Sequence, residues 1–167
     1  MADWVIVVDD DTMNLKMAGH ILSNNNIRVT ALKSGQALLD FVRENGYPDL
    51  ILLDIKMPEM DGFETLTKLR VQEGDKEKTP VIFLTASEDK EAETKGLQLG
   101  AMDFIKKPFV PDVLTLRVRH SIDLIRLQRN LAQEVDKKTE ENKKLMFNVI
   151  RALAEAIDAK DAYTNGH

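Results

Sequence analysis

Leu50-Ile51-Leu52-Leu53-Asp54-Ile55-Lys56-Met57-Pro58-Glu59-Met60-Asp61-Gly62 decides how this chain is read. Its first four residues are apolar without alternation, the pattern of a central strand buried on both faces of a parallel sheet. Asp54 closes the run. A turn and a helix start follow: Pro58 fixes φ, Asp61 can cap, and Gly62 tolerates positive φ. A carboxylate thus stands at a buried strand end, with the next loop as its wall.

Reading outward, three more apolar runs stop on chemistry. Trp4-Val5-Ile6-Val7-Val8 runs into Asp9-Asp10-Asp11, and Val81-Ile82-Phe83-Leu84 into Thr85-Ala86. Phe104-Ile105 runs into Lys106-Lys107-Pro108. In a parallel sheet successive strand ends gather on one edge, where open α/β folds place their sites. Carboxylates, a hydroxyl and an ammonium on that edge point to a divalent cation and a phosphoryl group.

Between the strands lie amphipathic stretches, the βα alternation. Helices are expected from about Thr12 to Ser23, from Ser34 to Gly46, over Gly62–Val71 and over Glu88–Leu99, with a short strand at Ile27–Ala31. Glu73–Thr79 reads as a charged loop, and Met102–Lys106 as the fifth strand. The fold class is therefore α/β, a doubly wound five-stranded parallel sheet within about 125 residues.

After Pro111 the pattern changes. From Val113 to Lys160 there is no proline or glycine, and Leu116, Ile122, Leu124, Leu127, Leu131 and Val135 recur at helical spacing. Asp136–Lys144 is almost wholly polar, and the stripe resumes with Leu145, Val149, Ile150, Leu153 and Ile157. One helix of that span is roughly 70 Å long at about 1.5 Å per residue. So narrow a stripe cannot be buried by the small domain alone, so a coiled coil with a second subunit is expected. A solvated helix, or one buried by further sequence, is the alternative.

Composition sets the limits. The 167 residues carry 43% hydrophobic residues, enough for a core, and a net charge of −5 that argues against nucleic-acid binding. Residues 112–167 hold 10 Lys/Arg against 9 Asp/Glu, so the acidity belongs to the first part of the chain. There is no cysteine, no apolar leader and no run long enough to cross a bilayer, so a soluble cytoplasmic protein without membrane contact is expected.

Asp9 and Asp10 placed near Asp54 repel one another unless a cation or a proton relieves them. Magnesium suits such a set, being a hard ion held by carboxylates, waters and phosphate oxygens. Asp54 is then the natural nucleophile, attacking phosphorus to give an aspartyl phosphate. The plainer reading makes these residues helix caps, as Asp11 or Thr12 can be. The Thr85 hydroxyl can donate to a phosphoryl oxygen, or Thr85 is an ordinary strand residue. Lys106 and Lys107 compete for the inward position, since alternation admits one of them. Pro108 marks a constrained turn, a cis bond being one way to make it. Phe104 is by default half-buried core.

At this point residues 1–125 resemble the receiver domain of two-component response regulators, on the acid pair, LLDIKMPEMDG, LTA and KKPF in their order and spacing. The resemblance implies Asp54 as phosphoacceptor for a sensor histidine kinase. It implies Asp9, Asp10, Asp54 and the Lys56 backbone carbonyl as magnesium ligands, and Lys107 rather than Lys106 as the phosphate-binding lysine. It also implies Thr85 and Phe104 as a coupled switch pair, and Lys56 and Ser87 as positions that tune phosphoryl lifetime.

Residues 153–167, LAEAIDAKDAYTNGH, resemble the opening of an HD-GYP domain, a family of metal-dependent phosphohydrolases acting on cyclic di-GMP. The stretch stops before that family's His-Asp pair and GYP loop, which suggests a piece of a longer protein, and His167 alone is read as inert. The expected organisation is a receiver at 1–125, a helical linker at 126–152 and the start of an output domain at 153–167. Such a piece is no enzyme beyond its own phosphorylation and dephosphorylation; the longer protein is expected to be a cyclic di-GMP phosphodiesterase, controlled through a homodimeric helix. Two other classes compete. A haloacid-dehalogenase-like phosphohydrolase uses Asp9 and Asp11, but Met13 stands where Thr or Val belongs. A degenerate receiver serves only for dimerisation, yet every expected site residue type is present.

Overall fold

Val5, Val7, Leu50, Leu52, Ile82 and Leu84 pack on one face of a sheet, and Ile6, Val8, Ile51, Leu53, Val81 and Phe83 on the other. The inner strands have no wet side, as unbroken apolar runs require. The computed structural model describes residues 2–86 and 90–165. The elements are β1 (Asp3–Val8), α1 (Thr12–Ser23), β2 (Ile27–Leu32), α2 (Gly35–Asn45) and β3 (Leu50–Asp54), then α3 (Gly62–Glu73), β4 (Val81–Thr85), α4 (Lys90–Gln98), β5 (Asp103–Lys106) and α5 (Pro111–Asn165). All pairings are parallel and the strand order is β2-β1-β3-β4-β5, the doubly wound sheet expected. The order reverses at β1, so the crevice beside β1 and β3 is where such a fold opens a site.

Leu15, Ala18, Ile21 and Leu22 of α1 cover the first face with Leu114, Val118 and Ile122 of α5. Leu38, Leu39 and Val42 of α2 cover the second with Leu66 and Leu69 of α3. Among the described residues, three helices begin on side-chain caps. Asp11 Oδ1 accepts from Met13 N at 2.9 Å, Ser34 Oγ from Ala37 N at 3.0 Å, and Asp61 Oδ1 from Glu64 N at 2.8 Å. Each satisfies an amide that the helix itself leaves open.

Gly62 departs from its expected reason. It has no positive φ; Glu59, three residues earlier, takes φ 67° instead. What Gly62 supplies is clearance, since a Cβ there would stand 2.4 Å from the Asp54 carbonyl oxygen. Gly96 of α4 does the same against two rings, with Phe104 Cζ at 2.6 Å and Phe83 Cδ2 at 2.9 Å from such a Cβ. The charged loop also differs from expectation. Glu73 is 3% exposed, and its Oε2 accepts from Thr79 N at 2.6 Å while Arg70 reaches both Glu73 and the Thr79 carbonyl.

The expected start of α4 at Glu88 lies outside the described residues. The chain divides into two units, residues 1–125 and 126–167. The first holds the sheet and both layers of core. The second is helical through Asn165, and every side chain from Asn130 to Tyr163 is exposed. The long helix starts at Pro111, earlier than Val113, because proline's fixed φ and missing N–H suit a first helical position. Among the described residues no helix is long and apolar enough to cross a membrane.

Candidate functional site

The β1 and β3 strands lie side by side with Val8 opposite Leu53, so Asp9 and Asp54 emerge next to each other. Asp9 is fully buried and Asp54 is 4% exposed, whereas Asp10 turns to solvent. Carboxylate oxygens of all three lie within 4.8 Å of one another. Asp9 is held from behind: its Oδ1 accepts from Asp11 N at 3.0 Å. An oxygen-only set of this kind fits a hard divalent cation such as magnesium.

The alternation question between the two lysines is resolved by where β5 stops. Lys106 is its last residue, paired with Thr85, and its side chain is exposed. Lys107 lies one past the strand; its amide donates to the Thr85 carbonyl at 2.8 Å. The Lys107–Pro108 peptide is cis. From there Lys107 Nζ donates to Asp54 Oδ1 at 3.1 Å and to Asp9 Oδ2 at 3.3 Å.

Burial pushes the Asp54 carboxyl up to about 6 from 3.8, helped by the neighbouring Asp9 charge and opposed by Lys107. Burial by itself lowers the Lys107 ammonium, but its hydrogen bond and attraction to Asp54, then to Asp9, outweigh that and raise it. The lysine therefore stays charged, and Asp54 remains ionised at neutral pH with little energy to spare.

Asp9, Asp10, Asp54, Lys56, Thr85 and Lys107 line one cleft of about 240 Å³. Asp11 reaches its rim, but its carboxylate is committed to capping α1, which leaves it poorly placed to work with Asp9 as an acid pair. Phe104 is not in the cleft. It lies opposite Phe83 in the β4–β5 register, on the same side of the sheet as Thr85, with its ring 5.9 Å from Phe83 and beneath Gly96. Ser87 lies outside the described residues, as does His167.

Two lining residues escaped the sequence reading, Asn14 from the first turn of α1 and Ala92 from α4. Asn14 had a signal: it follows the cap Asp11 by three residues, and a helix that starts at a strand end turns its first residues toward that end. Ala92 had none, since nothing local reveals which face of so polar a helix looks inward.

Residues 5–119 match the response regulator receiver domain family. A Vibrio cholerae protein named a probable cyclic di-GMP phosphodiesterase is 33% identical over 98% of this chain and 38% of its own length. The Staphylococcus aureus transcriptional regulatory protein SrrA is 34% identical over 71% of this chain and 47% of its own length. The chain thus spans less than half of either curated relative. Among solved structures, the Vibrio cholerae chemotaxis protein CheY4 superposes with a TM-score of 0.67 at 28% identity, covering 72% of this chain and 99% of that one.

Proposed function

The chain belongs to the response regulator receiver domain family, and we propose that within it Asp54 accepts a phosphoryl group from a sensor histidine kinase. The observation that carries this reading is Lys107 Nζ at 3.1 Å from Asp54 and 3.3 Å from Asp9, a cation already seated where phosphoryl charge would arrive. An Asp54 oxygen attacks the phosphorus of a phosphohistidine; the new bond is O–P, the P–N bond breaks, and the imidazole leaves with the bonding pair and takes up a proton. Lys107 exchanges part of its carboxylate contact for a phosphoryl oxygen, as a compact point charge can. The Thr85 hydroxyl, at the adjoining strand end, donates to another.

Asp9, Asp10, Asp54 and the Lys56 backbone carbonyl would hold magnesium. When bound, the ion supplies positive charge against the phosphoryl oxygens and relieves the repulsion among the carboxylates. Phe104 shares a sheet face with Thr85, so a hydroxyl drawn toward phosphate leaves room that the ring can take, which is how the pair would act as a switch. Lys56 stands at the cleft mouth, where it would set how readily water reaches the phosphoryl group; Ser87 is given the same role by the family resemblance alone.

The output reading is supported by the relative named a probable cyclic di-GMP phosphodiesterase, whose match covers 98% of this chain and so runs past the sheet into the helix of 126–165. In this reading 1–125 is the receiver, 126–152 a linker that pairs two copies, and 153–167 the beginning of an HD-GYP output domain, all in the cytoplasm. Phosphorylation biases the linker between two states because magnesium and phosphoryl at Asp54 stabilise one more than the other.

The test is intact mass after incubation with magnesium and a small acyl phosphate, beside Asp54→Asn. A magnesium-dependent phosphoryl adduct on the wild type alone supports the reading. An adduct that persists in Asp54→Asn moves the nucleophile and sinks it; no adduct from either this donor or a phosphorylated kinase leaves a dimerisation module.

A further inference from the structure

The helix of 126–165 has no core of its own. Leu127, Leu131 and Val135 are exposed, and so are Met146, Val149, Leu153 and Ile157. The steps within these two groups are four residues, apart from one of three. Lys138 and Asn142 fill the gap at the same rhythm, so the series repeats every 11 residues: Leu131, Asn142, Leu153, and Val135, Met146, Ile157. A seven-residue frame laid on Leu127 and Leu131 instead puts Glu134, Lys138, Glu141, Asn148 and Glu155 in the seam and leaves Val135 and Ile157 outside. A frame laid on Val149 and Leu153 leaves out Leu127, Leu131 and Ile157, so only the longer repeat keeps all seven apolar residues in one seam.

We infer that this helix pairs with a second copy of itself, parallel and in register, along an eleven-residue seam in which Asn142 meets Asn142 of the partner subunit. The inference deepens the homodimer reading above and rests on it. At about 3.67 residues per turn such a seam winds to the right, opposite to a heptad coiled coil.

Three observations select a second copy as the occupant. Residues 126–165 carry eight basic and seven acidic side chains, so no field repels an identical helix or calls for an oppositely charged one. Asn142 carries a donor and an acceptor and satisfies both against itself in a parallel register; an antiparallel pairing centred on the stripe does so too, but sets Val135 against Val149 and Leu127 against Ile157 rather than each against itself. One asparagine in a seam selects register and strand number in this way. Finally, the seven apolar seam residues are 47–62% exposed. At roughly 100 Å² apiece they offer about 700 Å², close to the ~800 Å² that each partner gives to a stable interface. Lys138 and Lys160 lay their stems along the seam and keep their ammonium groups at its edge.

The chain has no cysteine, so single-cysteine variants of the whole chain report one position each. With oxidised glutathione as the electron acceptor, Val135→Cys and Ile157→Cys form interchain disulfides at least about tenfold faster than Glu134→Cys and Glu141→Cys, because only seam positions bring Cβ atoms within about 3.5–4.5 Å. Faster linkage at Glu134→Cys and Glu141→Cys overturns the eleven-residue frame in favour of heptads. No linkage at any position, in a protein that light scattering shows to be dimeric, overturns the parallel seam and leaves the homodimer standing. A monomer at the highest soluble concentration overturns both, without touching the receiver reading, which phosphorylation of Asp54 decides separately. Asn142→Leu tightens association and admits species larger than a dimer; unchanged affinity and strictly dimeric mass would remove Asn142 from the register.

Discussion

A Cβ on Gly62 would lie 2.4 Å from the carbonyl oxygen of Asp54, and 2.9 Å from Ile55 Cα. The Gly62 amide meanwhile donates to the Ile55 carbonyl at 2.8 Å. The first turn of α3 therefore rests directly on the backbone that presents the Asp54 carboxylate. The spacing between helix and strand end is set by the absence of a side chain.

Gly62→Ala is expected to cost about 1–3 kcal/mol, the usual range for forcing a methyl into packed backbone. The atoms in the way are main chain and cannot rotate aside, so Asp54 shifts with them and phosphorylation slows. A urea midpoint equal to wild type, with an unchanged phosphorylation rate, would count against this account.

The raised Asp54 carboxyl makes stability depend on pH in a defined direction. Its native value is about 6, against about 3.9 when unfolded. Between the two, the native state binds more protons, so stability falls as pH rises. The contribution of protonated Asp54 is complete below about pH 4 and gone above about pH 6, on the order of 3 kcal/mol in all. Metal-free Asp54→Asn lacks this dependence and is more stable than wild type at pH 7. Denaturant titrations with a chelator at pH 4 and pH 7 measure the gap; a gap that does not widen with pH contradicts the assignment.

Lys107 is the counter-charge for two buried carboxylates, and its side chain is only 14% exposed. Lys107→Met strands both and is expected to lose about 3–5 kcal/mol at neutral pH in the absence of metal, with less loss under acid conditions. Lys106→Ala, at an exposed position, stays within about 0.5 kcal/mol. Adding Asp54→Asn to Lys107→Met recovers much of the loss, because one of the two stranded charges is gone. Strict additivity in that cycle would show that the pair does not interact.

Glu73→Ala is expected to destabilise by about 1–3 kcal/mol or somewhat more, since it removes an ionised acceptor from the Thr79 amide and leaves Arg70 half-partnered. Lys68→Ala on the same helix, in an exposed pair with Glu64 at 3.4 Å, serves as the control and moves little. Equal effects at the two sites would contradict the buried clasp.

These cases mark where the sequence was readable. Leu50–Leu53 declared a buried strand by having no polar alternation, and the position of Asp54 followed from where that run ends. The same logic placed Asp9 and Lys107 on one edge, because a parallel sheet collects its strand ends. Glu73 was opaque: a glutamate beside Gly74, Asp75 and Lys76 looks solvated until the chain closes back through Thr79. Gly62 was named for the wrong property, since conformational freedom is local and close approach is tertiary. Gly96 carried a hint that went unused, because a glycine inside a nine-residue helix weakens it and so asks for a packing reason.

That glycine is the only buried residue of α4. By contrast α1 buries Leu15, Ala18, Ile21 and Leu22, where each fully buried large aliphatic side chain contributes about 1.5–3 kcal/mol. Helix α4 thus lies against Phe83 and Phe104 by backbone contact, with almost no apolar area holding it down. Its amide protons should exchange with solvent through a small local opening, long before those of α1, whose release requires the whole domain to unfold. The element resting on the Phe104 ring is thus the one that detaches at least cost, and a rotation of that ring changes what it rests on.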